Sequence, residues 1–334
     1  MTKMSFLSFI YKQWLNHCDS DNFAQKFYST FFKILRRLIL RFADPPIKMQ
    51  VRDKTLWMPF SHFLPYYVHV APLYDTLLGR LAQHIRSSQG RISGIDCGAN
   101  IGDTILACSP VDTDRFLAIE AHPDYFAYLR RNLGSQNNIR LLQALCCAQD
   151  GKTSVHIEAS RGTAQAIQTN DDEAKVNSAR LDTLLQDNAD FRDCNLLKID
   201  TDGHDFDVIR GAKELITRAK PAVFFECDVF QNTHFIEDVV ETFKFFAQAG
   251  YRDALIYDNQ GYFLCRVDPK EPALFAFFLF HKVTAQRYYF DVLMLPERGK
   301  FLDEELDYYT NLASGSNYQT AARKVAELIK SGLS

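Results

Sequence analysis

The chain has 334 residues, of which 47% are hydrophobic and 24% charged, and these proportions exclude a fibrous or wholly disordered protein. Its 38 basic and 41 acidic residues give a formal charge of -3, so nucleic acid is not expected as a partner, because chains that bind it usually carry a basic excess. The eight cysteines contain no C-x-x-C pair and are expected to be reduced. The longest apolar run, 273–280, is too short to span a membrane, so we expect a cytoplasmic protein, at most peripheral at the inner face of the membrane.

A helical extension is predicted for residues 1–63. Five hydrophobic residues share one face of a predicted helix there: Phe27, Phe31, Ile34, Leu35 and Leu38. Four basic residues lie on the flank and back of the same helix: Lys26, Lys33, Arg37 and Arg41. The pattern fits two arrangements: packing on the main domain or on a partner chain, which would allow an oligomer, and peripheral contact with an anionic membrane. Packing is the more common of the two.

Residues 64–296 are predicted to form one α/β domain, because short apolar runs alternate there with helical patterns. The seven predicted strands are Ile92–Asp96, Arg115–Glu120, Ile139–Cys146, Leu196–Asp200, Ala222–Cys227, Ala254–Tyr257 and Tyr289–Leu295. We therefore expect a doubly wound, seven-stranded, mostly parallel sheet with helices on both faces. Between the third and fourth strands, 153–158 and the polar stretch 160–177 are predicted to form a hairpin with a mobile loop, and 259–261 is predicted to be a turn that leads into 262–267. Residues 297–334 are predicted to form a C-terminal helical extension.

A glycine-containing loop at 95–103 follows the first predicted strand of this sheet and opens a helix, which is where α/β sheets bind nucleotides. A dinucleotide fingerprint reads G-x-G-x-x-G, so that a pyrophosphate can approach the backbone. Here Gly98 is followed by Asn100 where the second glycine belongs, and Asp103 occupies the third position. An acidic group would repel a pyrophosphate, so an NAD-dependent dehydrogenase is the less favoured interpretation.

S-adenosylmethionine carries no phosphate, and the same loop suits it better. Asp96 at the strand end would pair with its ammonium group, and the loop residues Gly98, Asn100 and Gly102 are expected to contact it. Glu120 ends the second strand, 24 residues after Asp96. A carboxylate at this place can accept hydrogen bonds from both hydroxyls of a ribose. The sequence therefore predicts a nucleoside site.

Several segments resemble the FkbM family of S-adenosylmethionine-dependent methyltransferases, which have the class I Rossmann-like methyltransferase fold. The segments are 96–103, 119–123, 197–205, 208–212, 222–226 and 290–296. The resemblance runs from about 64 to 296, and it departs from the family at Asp202 and Asp205, where glutamates are usual. It implies O-methylation, commonly of a sugar or polyketide hydroxyl, and hence a role in glycan biosynthesis.

The resemblance also implies contacts with the adenine ring. Class I methyltransferases contact adenine near the end of the third strand, where this chain has Gln143 and Ala144. Gln143 could bind the exocyclic amine, although an ordinary strand residue fits the pattern equally well. Ala121, which follows Glu120 in the second matching segment, is expected to contact the same cofactor.

Methyl transfer to a hydroxyl needs an oxygen held in line with the methyl group and a base that takes its proton. Asp200 and Asp202 are two residues apart, so on a continuing strand they would share one face. Gly203 permits a turn that would bring His204 to the same crevice, and histidine titrates near neutrality. We expect His204 to be the general base and Asp200 to orient it or the donor. His204 and Asp205 also fit a helix cap.

A second role for Asp200 and Asp202 is to hold a magnesium ion with Glu226, because magnesium prefers oxygen ligands. Metal-free catalysis is favoured, because this arrangement is a weaker signal than a zinc-type spacing. Outside the enzymes, a non-catalytic nucleoside-binding or scaffold protein is the alternative.

Five aromatic residues precede the first strand of the sheet: Phe60, Phe63, Tyr66, Tyr67 and Tyr74. Their rings can stack on sugar faces, but core packing is the more common use. His62 has no partner at a recognisable spacing, so no role is predicted for it.

Overall fold

A computed structural model describes residues 6–18, 22–160, 162–168, 175–228, 232, 234–271, 273–285 and 289–331. The strands are β1 Pro46–Val51, β2 Lys54–Pro59, β3 Ser93–Cys97, β4 Arg115–Glu120, β5 Ile139–Gln143, β6 Leu145–Cys146, β7 Gly151–Ser160, β8 Thr163–Gln168, β9 Lys175–Ala179, β10 Leu196–Ile199, β11 Ala222–Cys227, β12 Asp253–Asp258, β13 Phe263–Val267 and β14 Phe290–Leu295. The helices are α1 Phe6–His17, α2 Phe23–Leu40, α3 Leu64–Val70, α4 Thr76–Gln89, α5 Asp103–Ala107, α6 Pro123–Leu133, α7 Leu181–Asp187, α8 Asp205–Gly211, α9 Lys213–Ala219, α10 Phe235–Gln248, α11 Ala273–Ala285, α12 Lys300–Leu312 and α13 Ser316–Ser331. No helix within these ranges is long and apolar enough to cross a membrane.

Eight strands form the central sheet, in the order β13-β12-β14-β11-β10-β3-β4-β5. The five strands from β11 to β5 are parallel, and β14 pairs antiparallel with both β11 and β12. The doubly wound, mostly parallel α/β class is thereby confirmed. The sheet has one strand more than predicted, because the chain turns at Gly261 and β13 pairs antiparallel with β12.

Apolar side chains cover both faces of this sheet, as expected when helices pack on both sides. Successive strand residues point to opposite faces. Leu197 and Val223 belong to a core cluster with residues of α7 to α10. Leu196 and Phe224 belong to a second cluster with residues of α4 and α12, so one helix of the C-terminal extension completes a face of the sheet.

The third predicted strand, 139–146, is two strands in different sheets. β5 pairs with β4 as far as Gln143, which lies opposite Glu120, the last residue of β4. β5 therefore ends where its partner strand β4 ends. Beyond that point β6 pairs with β9 in a second sheet, of order β6-β9-β7-β8. The predicted hairpin is confirmed, because β7 and β8 pair antiparallel, but the loop predicted over 160–177 contains β8 and the start of β9. Residues 161 and 169–174 lie outside the described residues.

The N-terminal extension is not wholly helical, because β1 and β2 form an antiparallel hairpin that the sequence analysis missed. Alternate residues of β1 are buried, which is the pattern of a strand with one packed face. The hairpin shares a core cluster with α1 and α2 that includes Ile10, Trp14 and Phe32. The same cluster includes Ile101 and Tyr125, so this part of the chain packs on the main domain.

α2 packs through a different face from the predicted one. Its buried residues are Ser29, Phe32 and Arg36, whereas Phe27 and Phe31 are 68% and 54% exposed. Packing of the Phe27 face on the main domain is therefore wrong. Arg36 can be buried because four aromatic rings surround its guanidinium group at 4.9 to 5.6 Å and two backbone carbonyls accept its hydrogen bonds.

Candidate active site

A cavity of about 510 Å³ opens at the carboxyl ends of the parallel strands. Gly98 follows β3, Glu120 ends β4, Asp200 follows β10 and Glu226 is the last residue but one of β11. All four line the cavity. Doubly wound sheets bind their ligands at this edge. Residues between 62 and 75 form another part of the wall. The cavity is therefore a candidate active site.

The turn after β3 requires glycine at position 98. Gly98 has a φ of +82°, and a β-carbon there would lie 1.8 Å from the carbonyl oxygen of Asp200. The backbone N–H groups of Gly98 and Ala99 both donate to the carbonyl of Ile119 at 2.9 Å. The loop is thus fixed between β4 and the end of β10, with no side chain between its backbone and the cavity at this position.

The Glu120 carboxylate fixes the same loop from the β4 side. Its Oε2 accepts a hydrogen bond from the backbone N–H of Asn100 at 2.8 Å, and its Oε1 accepts one from His122 at 2.7 Å. Burial raises the pKa of Glu120 to about 7, although both hydrogen bonds act against that rise. Each oxygen keeps a second lone pair, so the carboxylate can also accept hydrogen bonds from a bound diol.

Asn100 links this loop to the N-terminal extension. Its Nδ2 donates to the carbonyl of Gly162 at 2.5 Å, and its Oδ1 lies 3.3 Å from Nε2 of His62. Nδ1 of His62 accepts from the backbone N–H of Leu64 at 3.1 Å, so Nε2 carries the proton and donates to Asn100. Burial lowers the pKa of His62 to about 4. His62 is therefore a neutral residue that fixes the loop.

Lys198, within β10, is the cation of a buried charge network. Its Nζ lies 3.1 Å from Oδ1 of Asp96 and 3.3 Å from Oδ2 of Asp200, and it donates to the carbonyl of Gly98 at 2.9 Å. Burial opposes its ionisation, but Asp200 and Asp96 outweigh burial and raise the pKa of Lys198 well above its ordinary value. Asp96 also accepts from Oγ1 of Thr104 at 2.5 Å. Asp96 thus holds Lys198 and the start of α5 from beneath the cavity.

Asp200 and Asp202 do not share a strand face. β10 ends at Ile199, and Asp202 lies in a turn with a φ of +50°. Both aspartates nevertheless line the cavity, together with His204. Nδ1 of His204 lies 3.7 Å from Oδ2 of Asp207, so an acid is close enough to stabilise a protonated imidazole.

The sequence suggests that Asp205 caps α8, but its side chain makes no capping hydrogen bond to that helix. Its Oδ2 accepts hydrogen bonds at 3.1 Å from both the backbone N–H and the hydroxyl of Thr201. Its Oδ1 accepts from the backbone N–H of Glu226 at 3.1 Å. Burial, together with the charge of Asp200, raises the pKa of Asp205 to about 6. This buried carboxyl group therefore ties the loop after β10 to the end of β11.

Acidic side chains dominate the described lining, in which the basic chains are one lysine and two histidines. The acids are Asp75, Asp103, Glu120, Asp200, Asp202, Glu226 and Asp228. Burial, reinforced by Asp103 and Asp200, raises the pKa of Asp75 to about 8. Burial also raises the pKa of Asp103 to about 6 and that of Glu226 well above its ordinary value. A bound positive charge would offset the cost of ionising these buried acids, whereas a phosphate would add to that cost, so the lining suits a ligand with positive charge.

Most of the residues predicted from the sequence meet in this cavity: Gly98, Asn100, Glu120, Ala121, Ala144, Asp200, Asp202, His204 and Glu226. Three predicted donor contacts lie outside its lining: Asp96, Gly102 and Gln143. A β-carbon on Gly102 would lie 2.6 Å from Cδ1 of Leu133, so this glycine permits the packing of α6. Gln143 is exposed at the end of β5.

The lining also includes residues that the sequence did not assign to the site, among them His62, Tyr66, Tyr67, Tyr74, Asp75, Lys198 and Tyr289. The sequence pattern assigns the three tyrosines before β3 to the core, but of that aromatic cluster it is Phe60 that is fully buried. Lys198 did carry a signal, since a lysine within a run of buried strand residues requires an acidic partner. Asp75 and Tyr289 belong to no motif.

The magnesium alternative finds no support in the side-chain arrangement. Across the described ranges, no three His, Cys, Asp or Glu side chains are arranged to hold a metal ion. Asp200, Asp202 and Glu226 line one cavity without forming such a group.

The sheet, the loop after β3 and the carboxylate at the end of β4 together define a Rossmann-like fold with a nucleoside-type site at the carboxyl edge of its sheet. Residues 96–252 match the model of the methyltransferase FkbM domain. This part of the chain, which includes the loop, Glu120 and His204, belongs to the FkbM methyltransferase family. No curated protein sequence matches the chain significantly.

Several solved structures are similar to the chain. An FkbM methyltransferase from Methylobacillus flagellatus has 14% identity and a TM-score of 0.37, over 75% of this chain and 54% of that one. A putative caffeoyl-CoA O-methyltransferase from Staphylococcus aureus has 12% identity and a TM-score of 0.37, over 70% and 90%. The tRNA (uracil-54, C5)-methyltransferase of Pyrococcus abyssi, solved with S-adenosylhomocysteine, has 11% identity and a TM-score of 0.36, over 76% and 45%. The chain thus spans about half the length of the first of these.

Proposed function

We propose that this chain is an S-adenosylmethionine-dependent O-methyltransferase that acts on a sugar hydroxyl, in a surface glycan or its lipid-linked precursor. One observation carries the proposal: His204 and Asp200 line the same cavity as Gly98 and Glu120. A group able to take a proton and a site suited to a nucleoside therefore face one space.

The methyl donor fits the side of the cavity between β3 and β4. Glu120 would accept hydrogen bonds from the two ribose hydroxyls, since its carboxylate is fixed by two backbone N–H groups. Because Gly98 has no side chain, the methionine part of the donor can lie against the backbone of the loop. The acidic lining suits the positive charges of the ammonium and sulfonium groups. When bound, the donor supplies an electrophilic methyl group to this cavity.

We assign the acceptor to the part of the wall formed by residues between 62 and 75 and by Tyr289. Tyr67, Tyr74 and Tyr289 line it, and aromatic rings of this kind can stack on sugar faces. Burial raises the pKa of Asp75 to about 8, so near neutral pH its carboxyl group holds a proton and can both donate to and accept from sugar hydroxyls. This combination favours a polyhydroxylated acceptor.

We assign the role of the base to His204. Its Nδ1 faces Asp207, which leaves Nε2 to take the proton of the acceptor hydroxyl. The acceptor oxygen forms its bond to the methyl carbon as the carbon–sulfur bond breaks, and the negative charge of Asp207 stabilises the resulting imidazolium. Asp200, held by Lys198, positions the loop from which His204 projects.

The two alternatives are weaker. A dehydrogenase would need a pyrophosphate beside Asp103, which lines the cavity and begins α5. A non-catalytic nucleoside-binding protein would have no need of His204 and its acid neighbour at the same cavity.

Transfer of a radiolabelled methyl group from S-adenosylmethionine to a glycan extract tests the proposal. We expect His204→Ala to lower turnover by about 10² to 10⁴-fold without changing the affinity for S-adenosylhomocysteine. Asp200→Ala should also lower it. His84→Ala is the matched control, because His84 also has an acidic partner, Glu304 at 2.9 Å, but does not line the cavity. Unchanged turnover in both cavity variants would contradict the catalytic assignment.

A further inference from the structure

α2 carries an apolar stripe that the rest of the described chain leaves uncovered. The stripe consists of side chains spaced three or four residues apart: Phe23, Phe27, Phe31, Ile34 and Leu38, continued by Phe42 just beyond the helix. These side chains are between 50% and 86% exposed. They share one side of the helix, and the buried residues Phe32 and Arg36 lie on the other.

Exposed basic residues flank the stripe: Lys26, Lys33, Arg37 and Arg41. No acidic residue occurs from Phe23 to Ala43, although the whole chain has a net charge of -3. A helix with aromatic and aliphatic residues on one side and basic residues beside them has the pattern of a helix that lies in the plane of a membrane surface.

The charge of this surface identifies its partner. α11 also exposes two phenylalanines, Phe277 and Phe280, at 67% and 68%. Its thirteen residues include one lysine and no arginine, so that helix is apolar without a basic flank. Of these two surfaces, that of α2 combines apolar area with several positive charges, and anionic phospholipids complement both.

We propose that α2 docks on a membrane that contains anionic phospholipids. The aromatic stripe enters the boundary between headgroups and acyl chains, and the basic side chains contact lipid phosphates. Arg36 donates hydrogen bonds to the carbonyls of Phe60 and Ser61, so the docked helix stays attached to the segment that continues into His62 and the cavity. The inference does not depend on which acceptor is methylated.

Co-sedimentation of the full chain with phospholipid vesicles tests this docking. The vesicles are phosphatidylcholine alone and phosphatidylcholine mixed with phosphatidylglycerol. We expect the wild type to bind the mixed vesicles and to be released by high salt. Lys33→Ala with Arg37→Ala should weaken binding by more than tenfold, since each basic residue near an anionic surface contributes about fivefold. Phe27→Ser with Phe31→Ser should weaken it by a similar factor or more.

Phe277→Ser with Phe280→Ser is the matched control, because it removes the same residue type at similar exposure from α11. All changes are at exposed positions, and circular dichroism checks that each variant is folded. Absence of binding to mixed vesicles would overturn the proposal. So would equal loss of binding in the α11 control. A solution dimer that dissociates in the Phe27 and Phe31 variant, without vesicle binding, would assign the stripe to a second copy of the chain instead.

Discussion

The two walls of the cavity are built in different ways. The wall that we assign to the methyl donor, from Gly98 to Glu120, comes from consecutive elements β3, α5 and β4. The wall that we assign to the acceptor combines residues between 62 and 75 with Tyr289, which lie far apart in the chain. A wall made of consecutive elements leaves a local motif in the sequence, whereas a wall assembled from distant segments leaves none.

The largest expected effect is on the donor wall. Gly98→Ala should lower the affinity for S-adenosylhomocysteine by at least about 100-fold or unfold the domain, because the added methyl group would lie 1.8 Å from the carbonyl oxygen of Asp200. Gly90→Ala is the matched control, since Gly90 has nearly the same φ, +83°, with no atom within 4 Å of the added carbon. Calorimetry and thermal melting compare them. Equal behaviour of the two variants would show that close approach at Gly98 is unimportant.

A smaller effect, on stability, is expected for the wall formed by residues between 62 and 75 and by Tyr289. The pKa of Asp75 is raised to about 8 by burial and by neighbouring acids, so the folded state holds its proton more tightly than the unfolded state. Stability is therefore lost as the pH rises from the unfolded value near 4 to about 8. Asp75→Asn removes this loss, and asparagine also tolerates the φ of +56° at this position.

Melting curves at pH 5.5 and pH 8.5 measure the effect. We expect Asp75→Asn to melt above the wild type at pH 8.5, by roughly 2–4 °C for each kcal/mol gained, and by less at pH 5.5. Asp53→Asn, at an exposed position, should give the same small difference at both pH values. A difference for Asp75→Asn that does not grow with pH would refute the assignment of a raised pKa.

The sheet could be predicted from the sequence because its buried strands are short apolar runs between helical patterns. The same reasoning placed the turn at 259–261 but did not count the segment after it, β13, as a strand of the sheet. It missed the β1–β2 hairpin, whose strands are short and contain polar residues. Tertiary contacts, which no local pattern encodes, decided that α2 buries Arg36 rather than Phe27.

In the candidate site, too, residues in local sequence patterns could be predicted, whereas residues brought together by tertiary contacts could not. Gly98 and Glu120 could be found because each follows or ends a recognisable strand. Asp75 could not, because it precedes a helix and resembles an ordinary helix start until the fold places it beside Asp103 and Asp200. Asp96 was predicted to contact the methyl donor directly, because the spacing of residues alone does not show that Lys198 lies between Asp96 and Asp200.

Calorimetric titration with S-adenosylhomocysteine tests the central claim most directly, with NAD, Glu120→Gln and Gln143→Ala as comparisons. We predict that the wild type binds S-adenosylhomocysteine and not NAD. Glu120→Gln should weaken binding by about 10- to 100-fold, because a carboxylate that accepts ligand hydrogen bonds is lost. Gln143→Ala should leave it unchanged, because Gln143 lies outside the cavity. Binding of NAD alone, or unchanged affinity in Glu120→Gln, would contradict the account.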